Sequence, residues 1–236
     1  MEYGFTQKLF GYFYHSSCMK QAAKQKLNIN KKAIKQEYVS IMKNAKDIGK
    51  SRLMSSYCMG AYFIALNRKT PLSPEACYEL YKDGLSSNKL FHIAVGNANS
   101  YLDKKKMPGR LKWSADSHLR RYENDWVVDI IEGTPQDDFE LGYDYHTCGI
   151  CNLCRDEGCF ELAKYLCRMD YVLADMMQMK LTRTKTIAEG ADLCDFRYGR
   201  KFHVGSSERR DSDHLLYRLQ DSQSCYYRSD IGKGST

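Results

Sequence analysis

The hydrophobic period of the chain changes part-way along it. Ile34, Tyr38, Ile41, Ala45 and Ile48 step by 4, 3, 4 and 3 residues, which is one stripe of a helix whose opposite face carries Lys32, Lys35, Lys43 and Lys46. Leu53, Tyr57, Ala61 and Ile64 resume that spacing after Gly49 and predict an apolar core helix to about Asn67. Residues 6–27 read as a helix burying Leu9, Phe10, Phe13 and Ala22. Ser73-Pro74-Glu75-Ala76 opens another, with an N-cap followed by proline at the first helical position, ending near Gly84. Residues 88–102 are expected to form one further helix, and Lys104-Lys105-Lys106-Met107-Pro108-Gly109 to be a breaker.

Beyond residue 120 the period falls to two. Trp126 to Ile131 is rich in β-branched and aromatic residues, and Phe139, Leu141, Tyr143 and Tyr145 alternate with Glu140, Gly142, Asp144 and His146. Two strands joined by Gly133-Thr134-Pro135-Gln136-Asp137 follow from that pattern. Residues 149–156 and 160–177 read as helices, the second burying Leu166, Met169, Val172, Leu173 and Met176. Residues 181–187 and 192–202 read as a closing antiparallel pair around Ala188-Glu189-Gly190-Ala191. The expected fold class is α+β, a helical N-terminal half packed on a small antiparallel sheet with further helices in a single domain. Its parts are a helical region 1–110, an α+β cysteine-rich region 111–204 and a polar tail 205–236.

Composition narrows the function classes. With 236 residues, 43% hydrophobic, 28% charged, 4 Pro and 16 Gly, collagenous, mucin-like and broadly disordered chains are excluded. No apolar run reaches the roughly 18 residues of a membrane span, and residues 1–15 lack the basic start and cleavage site of a secretory signal, so the expected location is cytoplasmic with no membrane partner. The formal charge of +7 is concentrated in residues 1–50, which hold ten Lys, no Arg and three acids. Those lysines follow a helical pattern without interleaved arginines and stacking aromatics, so a solvated helix face is expected and a nucleic-acid partner is not.

The ten cysteines are unevenly placed: Cys148, Cys151, Cys154, Cys159, Cys167 and Cys194 fall between residues 140 and 200. Without an export signal they read as thiols, metal ligands or catalytic groups. Cys148, Cys151, Cys154 and Cys159 suggest an iron–sulfur or zinc site, with His146 a further donor, although the fourth cysteine comes one residue late for a ferredoxin run and no proline follows it. That set supports an alternative function, a non-catalytic metal- or ligand-binding thiol-rich module.

The wider spacing carries a different reading. Tyr143-Asp144-Tyr145-His146-Thr147-Cys148-Gly149-Ile150-Cys151, then Tyr165-Leu166-Cys167-Arg168-Met169-Asp170, then Arg183-Thr184-Lys185-Thr186-Ile187-Ala188-Glu189-Gly190, then Cys194-Asp195-Phe196-Arg197-Tyr198 resemble the L-2-amino-thiazoline-4-carboxylic acid hydrolase family. In that family a cysteine ends a strand, a C-x2-D pair opens a helix, and R-T-x-T-(I/L)-x-x-G precedes a C-D-F-R strand. The resemblance is strongest over residues 139–199; in the first half only Asn124-Asp125-Trp126 matches. It implies hydrolysis of carbon–nitrogen-type bonds of a cyclic amidine, opening a small amino-acid-derived carboxylate such as 2-amino-thiazoline-4-carboxylate to a carbamoyl-cysteine, with no cofactor.

Such chemistry needs a nucleophile and an acid for the departing ring atom. Cys148, at a strand-to-helix junction, is the first candidate nucleophile, with His146 two residues back as its base and Cys194 as the rival. Asp170 shares a helix face with Cys167, and an acid on an apolar helix needs either a partner or a catalytic use. Arg183 and Arg197 are candidate clamps for a substrate carboxylate, with Asp195 and Cys167 beside them. A structural network pairing Asp170 or Asp195 with Arg183 or Arg197 is the competing account of the same residues. Nothing in the sequence sets the oligomeric state.

Overall fold

The computed structural model describes residues 1–201, and the expected tail 205–236 lies outside them. Helices α1 (Phe5–Lys24), α2 (Lys31–Asn44), α3 (Met54–Arg68) and α4 (Pro74–Ser86) form a bundle in which α1 packs on α3 and α4, and α2 on α3. Ile34, Tyr38, Ile41, Ala45 and Ile48 are all buried, as their spacing requires. Every residue of α3 from Tyr57 to Leu66 is buried, which makes it the axis of the bundle. All ten lysines of the first fifty residues are exposed.

The core of the bundle is unusual in its tyrosines, and each buried hydroxyl has a partner. Tyr14 Oη donates to the Ser55 carbonyl at 3.0 Å, Tyr38 Oη to the Gln7 carbonyl at 2.8 Å and Tyr81 Oη to the Met59 carbonyl at 3.3 Å, while Tyr62 Oη lies 3.2 Å from His15 Nδ1. A phenol buried this way adds ring packing without stranding a polar atom. The face of α1 differs from expectation. Leu9 is exposed, and the helix turns Gly11, Tyr14 and Cys18 inward. The reason is Gly11, which packs so closely on the Tyr38 ring that no Cβ fits there.

Three further boundaries depart from the sequence reading. The single helix expected over 88–102 is two, α5 (Lys89–Val95) and α6 (Ala98–Tyr101), because Gly96 adopts φ +85° and Asn97 caps a new start through Ser100 N at 3.0 Å. The expected breaker opens α7 (Met107–Ser117): Asp103 accepts from Lys105 N at 3.0 Å, and Pro108 falls in the first turn, where a missing N–H costs nothing. The third is the strand expected over 181–187, described below.

Strands β1 (Val127–Glu132), β2 (Leu141–Thr147), β3 (Met179–Thr182) and β4 (Cys194–Arg200) form one antiparallel sheet in the order β1-β2-β4-β3. All strands among the described residues lie beyond residue 120, and the fold is α+β. Helix α8 (Gly149–Asp156) packs on α3, and α9 (Ala163–Met176) packs on α4, α3 and β3. Gly60 of α3 faces Ile150 and Leu153 of α8 across this contact. The Cys167–Asp170 pair sits within α9 rather than at its start.

Candidate active site

Successive strand residues point to opposite faces, and the register sorts the chemistry of the sheet accordingly. Val128, Ile130, Tyr143, Tyr145, Cys194, Phe196 and Tyr198 share the inner face against the helices. Asp129, Asp144, Asp195 and Arg197 share the outer face by the same register, with His146 beside them.

Cys148 is the hinge between β2 and α8. It is the N-cap residue of α8, one residue beyond the end of β2, and its side chain packs against the helical core. Gly149 is required immediately after it. A Cβ at that position would stand 2.6 Å from the Asn124 carbonyl oxygen and 2.7 Å from the Trp126 ring. Asn124 itself is buried, donating through Nδ2 to Asp156 Oδ2 at 2.7 Å and so tying the loop before β1 to the end of α8.

The Cys148 thiol is half-buried, and its pKa is held below the ordinary thiol value. The neighbouring Cys151 thiol is the main cause and the amides of Cys151 and Ile150 in the first turn contribute, against burial and the charge of Asp170. Cys151, fully buried three residues on, is pushed in the opposite direction by the same contact and by burial. Cys194 is buried, and burial raises it to about 11, although the Ile187 amide donates to its Sγ at 3.2 Å. Burial also raises Cys167. Of the two half-buried cysteines in this cluster, Cys148 and Cys167, Cys148 is the one biased toward thiolate.

Helix α9 presents Cys167 and Asp170, one turn apart, to the same place. Arg183 reaches it from just beyond β3, with a side chain only 4% exposed against 28% for Asp170. Arg183 Nη1 donates to Asp170 Oδ2 at 2.8 Å and Nη2 to the Cys167 carbonyl at 3.0 Å. Its guanidinium carbon lies 5.0 Å from the Tyr171 ring centre and 4.8 Å from that of Phe196, a cation between two aromatic faces. Nε is buried with no partner among the described residues. Burial raises the Asp170 pKa and outweighs the opposing charge of Arg183, leaving a weakened acid beside a thiol. The charge of Asp170 acts in turn on Cys148, Cys167 and Cys194. Five residues from four segments therefore converge: Cys148, Cys167, Asp170, Arg183 and Cys194.

The remaining candidates stand elsewhere. His146 is exposed and lies 2.8 Å from Asp129 Oδ2, whose other oxygen is 2.7 Å from His118 Nε2. Arg197 Nη1 donates to Asp144 Oδ1 at 2.7 Å, facing its strand neighbour across the outer face. Asp195 holds the motif loop, accepting from Thr184 N at 2.9 Å and Lys185 N at 2.6 Å. That is why β3 ends at Thr182: the next amides turn to a carboxylate instead of a strand partner. Beyond them Thr186 caps a short turn through Glu189 N, and Gly190 at φ +95° closes it.

The four-cysteine metal set is not assembled. Cys148 acts on the ionisation of Cys151 and Cys159 on that of Cys154, all four as free thiols, and among the described residues no group of three or more His, Cys, Asp or Glu side chains is placed to hold a metal ion. Steps of three residues carry Cys148 to Cys154 about 9 Å along the helix axis. Tyr171 and Phe196, which flank Arg183, were missed as site residues. Their signal was adjacency, since each lies within three residues of a cysteine or acid already singled out. Two surface hollows, one beside Arg120, Arg121 and Tyr122 and one beside Met1 and Phe5, are lined by none of the convergent residues.

Residues 51–198, well over half of the chain, match the model of the L-2-amino-thiazoline-4-carboxylic acid hydrolase family. The chain belongs to that family. The matched span of this amino-thiazoline carboxylate hydrolase family member includes all five convergent residues, along with α3 and α4, which support α8 and α9 from behind. No curated protein and no solved structure matches the chain. No helix of the described residues is long and apolar enough to cross a membrane.

Proposed function

We propose that this protein is a cysteine-dependent hydrolase that opens a cyclic amidine carrying a carboxylate, with 2-amino-thiazoline-4-carboxylate as the first substrate to test. The observation that carries the reading is the Cys148 thiol, half-buried at the start of α8 with its ionisation favoured, within the electrostatic reach of Asp170, an acid weakened by burial. Family membership supports the substrate class.

In this mechanism the Cys148 thiolate attacks the ring carbon between nitrogen and sulfur. The ring C–S bond breaks, the departing sulfur takes a proton from Asp170, and the carbon remains on Cys148 as an isothiourea. Water then adds to that carbon with Asp170, now ionised, as base, and the Cys148 thiolate leaves, giving the carbamoyl product. Arg183 serves as the carboxylate clamp through its unpartnered Nε, with Asp170 and the two aromatic rings fixing its plane. Asp195 positions Arg183 indirectly, by holding the loop that follows it. Cys194, Cys167, Arg197 and His146 are given no bond-making step. Cys194 is buried and raised, Cys167 is likewise raised by burial, and the other two face outward.

The test is turnover of 2-amino-thiazoline-4-carboxylate followed by loss of the ring chromophore, with intact-protein mass spectrometry during turnover. A substrate adduct on Cys148 supports the reading. Full activity in Cys148→Ser moves the chemistry to an activated water with Asp170 as its base.

A further inference from the structure

Cys148 and Cys151 form a pair whose two members differ in everything except identity. Cys148 is a half-buried N-cap residue, whereas Cys151, three residues later on the same side of α8, is 0% exposed and enclosed by the bundle core. The ionisation of each is tied to the other, Cys148 shifted down and Cys151 up. Residues three apart on a helix have Cβ atoms about 5–6 Å apart, and a disulfide needs about 3.5–4.5 Å. Cys148 joins the ladder of α8 only through its carbonyl, which accepts from Asn152 N at 3.0 Å, so its φ and side-chain torsions are free to narrow that gap while the helix stays wound.

We infer that Cys148 and Cys151 are a redox-active dithiol that exchanges with low-molecular-weight disulfides and closes to an intrahelical disulfide. In the first step the Cys148 thiolate attacks one sulfur of R–S–S–R. That bond breaks, RS− leaves, and Cys148 carries a mixed disulfide. In the second, Cys151 gives its proton to the departing thiolate and its sulfur attacks Cys148 Sγ. The second R–S group leaves as RSH, the first RS− takes up the proton that Cys148 had released, and a Cys148–Cys151 bond forms. Overall the small disulfide is reduced by two electrons to two thiols, and the protein loses two hydrogens. The lowered ionisation of Cys148 favours it as the entering nucleophile, and burial keeps Cys151 from meeting the reagent first. Neither step uses Asp170 or Arg183. The consequence for turnover, loss of the nucleophile on oxidation, rests on the hydrolase reading; the exchange chemistry does not.

The experiment uses the full chain and oxidised glutathione. The expected result in the parent protein is loss of iodoacetamide labelling at both Cys148 and Cys151, a mass decrease of two hydrogens on the peptide holding them, and full return after dithiothreitol. Cys151→Ala, checked for fold by circular dichroism, should instead accumulate a single glutathione adduct on Cys148. Cys151→Ser is a second variant in case the smaller side chain leaves a destabilising void. A lasting Cys148 adduct in the parent protein with Cys151 still reduced, no reaction at either thiol, or a disulfide mapped to Cys148 with Cys167 or Cys194 would each overturn the inference. Turnover is read on the same samples. A Cys148–Cys151 disulfide with hydrolysis retained would support the exchange chemistry and remove Cys148 as the hydrolytic nucleophile, so the two readings fail separately.

Discussion

The two faces of the sheet each carry acids, bases and an ion pair, yet they place them in different surroundings. On the outer face Asp129 shares its carboxylate between His118 and His146, all three side chains at least 36% exposed, and Asp144 meets Arg197 with both about a quarter exposed. On the inner side Arg183 is sealed between Tyr171 and Phe196, and Asp170 is partly desolvated against it. Water screens the first set and leaves its groups near their ordinary strengths of interaction. The difference lies in Arg183, which is shut off from water at 4% exposed while Asp170 at 28% is as open as Asp144, so a sealed cation sets the charges that act on the neighbouring thiols.

The largest test of this contrast is catalytic. Cys148→Ser should lower kcat by about a thousandfold or more, since a serine hydroxyl at the same helix start is scarcely ionised near neutral pH. His146→Gln, on the outer face, should leave kcat within about twofold. Equal losses in the two variants, measured by steady-state turnover, would erase the distinction between the faces.

Stability should divide the same way. Arg183→Met strands Asp170 beside apolar rings and should cost about 3 kcal/mol, whereas Arg197→Met should cost about 1 kcal/mol or less. Urea unfolding of the two variants measures both. Gly149→Ala tests the seat of the site: the added Cβ meets the Asn124 carbonyl and the Trp126 ring and should destabilise by about 1–3 kcal/mol. An unchanged urea midpoint would show that the start of α8 has room the close contacts deny.

The smallest expected effects lie in pH dependence, and they have opposite signs. Hydrogen bonds from His146 and His118 lower the Asp129 pKa, so the unfolded chain binds its proton first; the stability it contributes is present above the unfolded value and is lost as pH falls through the folded one. Burial raises the Asp170 pKa, so the folded chain keeps its proton longer, and stability falls as pH rises from the ordinary carboxylate value through the folded one. Asp129→Asn should flatten the acid-side loss and Asp170→Asn the loss at higher pH, each read from thermal midpoints relative to the parent protein. The same sign in both would contradict the assignment of surroundings.

Periodicity alone was enough to place the helices of the bundle, the later change to strands and the segment 149–156, because each depends on contacts between residues three, four or two apart. Motif spacing was enough to single out Cys148, Cys167, Asp170, Arg183 and Cys194, since their chemistry is written in residue type. Facing was another matter. Alternation tells which residues of a strand share a side but not which side meets the helices. His146 and Cys148, two apart, would share a face only if the strand ran on; it ends at Thr147, and the turn into α8 carries Cys148 inward while His146 stays with Asp129. Arg183 found Asp170 rather than Asp195, and Arg197 found Asp144, through pairings set by sheet order and the path of α9. Residue types and local repeats determined the elements and the available chemistry of this protein; tertiary structure decided which groups lose their water together, because desolvation depends on neighbours far apart in the chain.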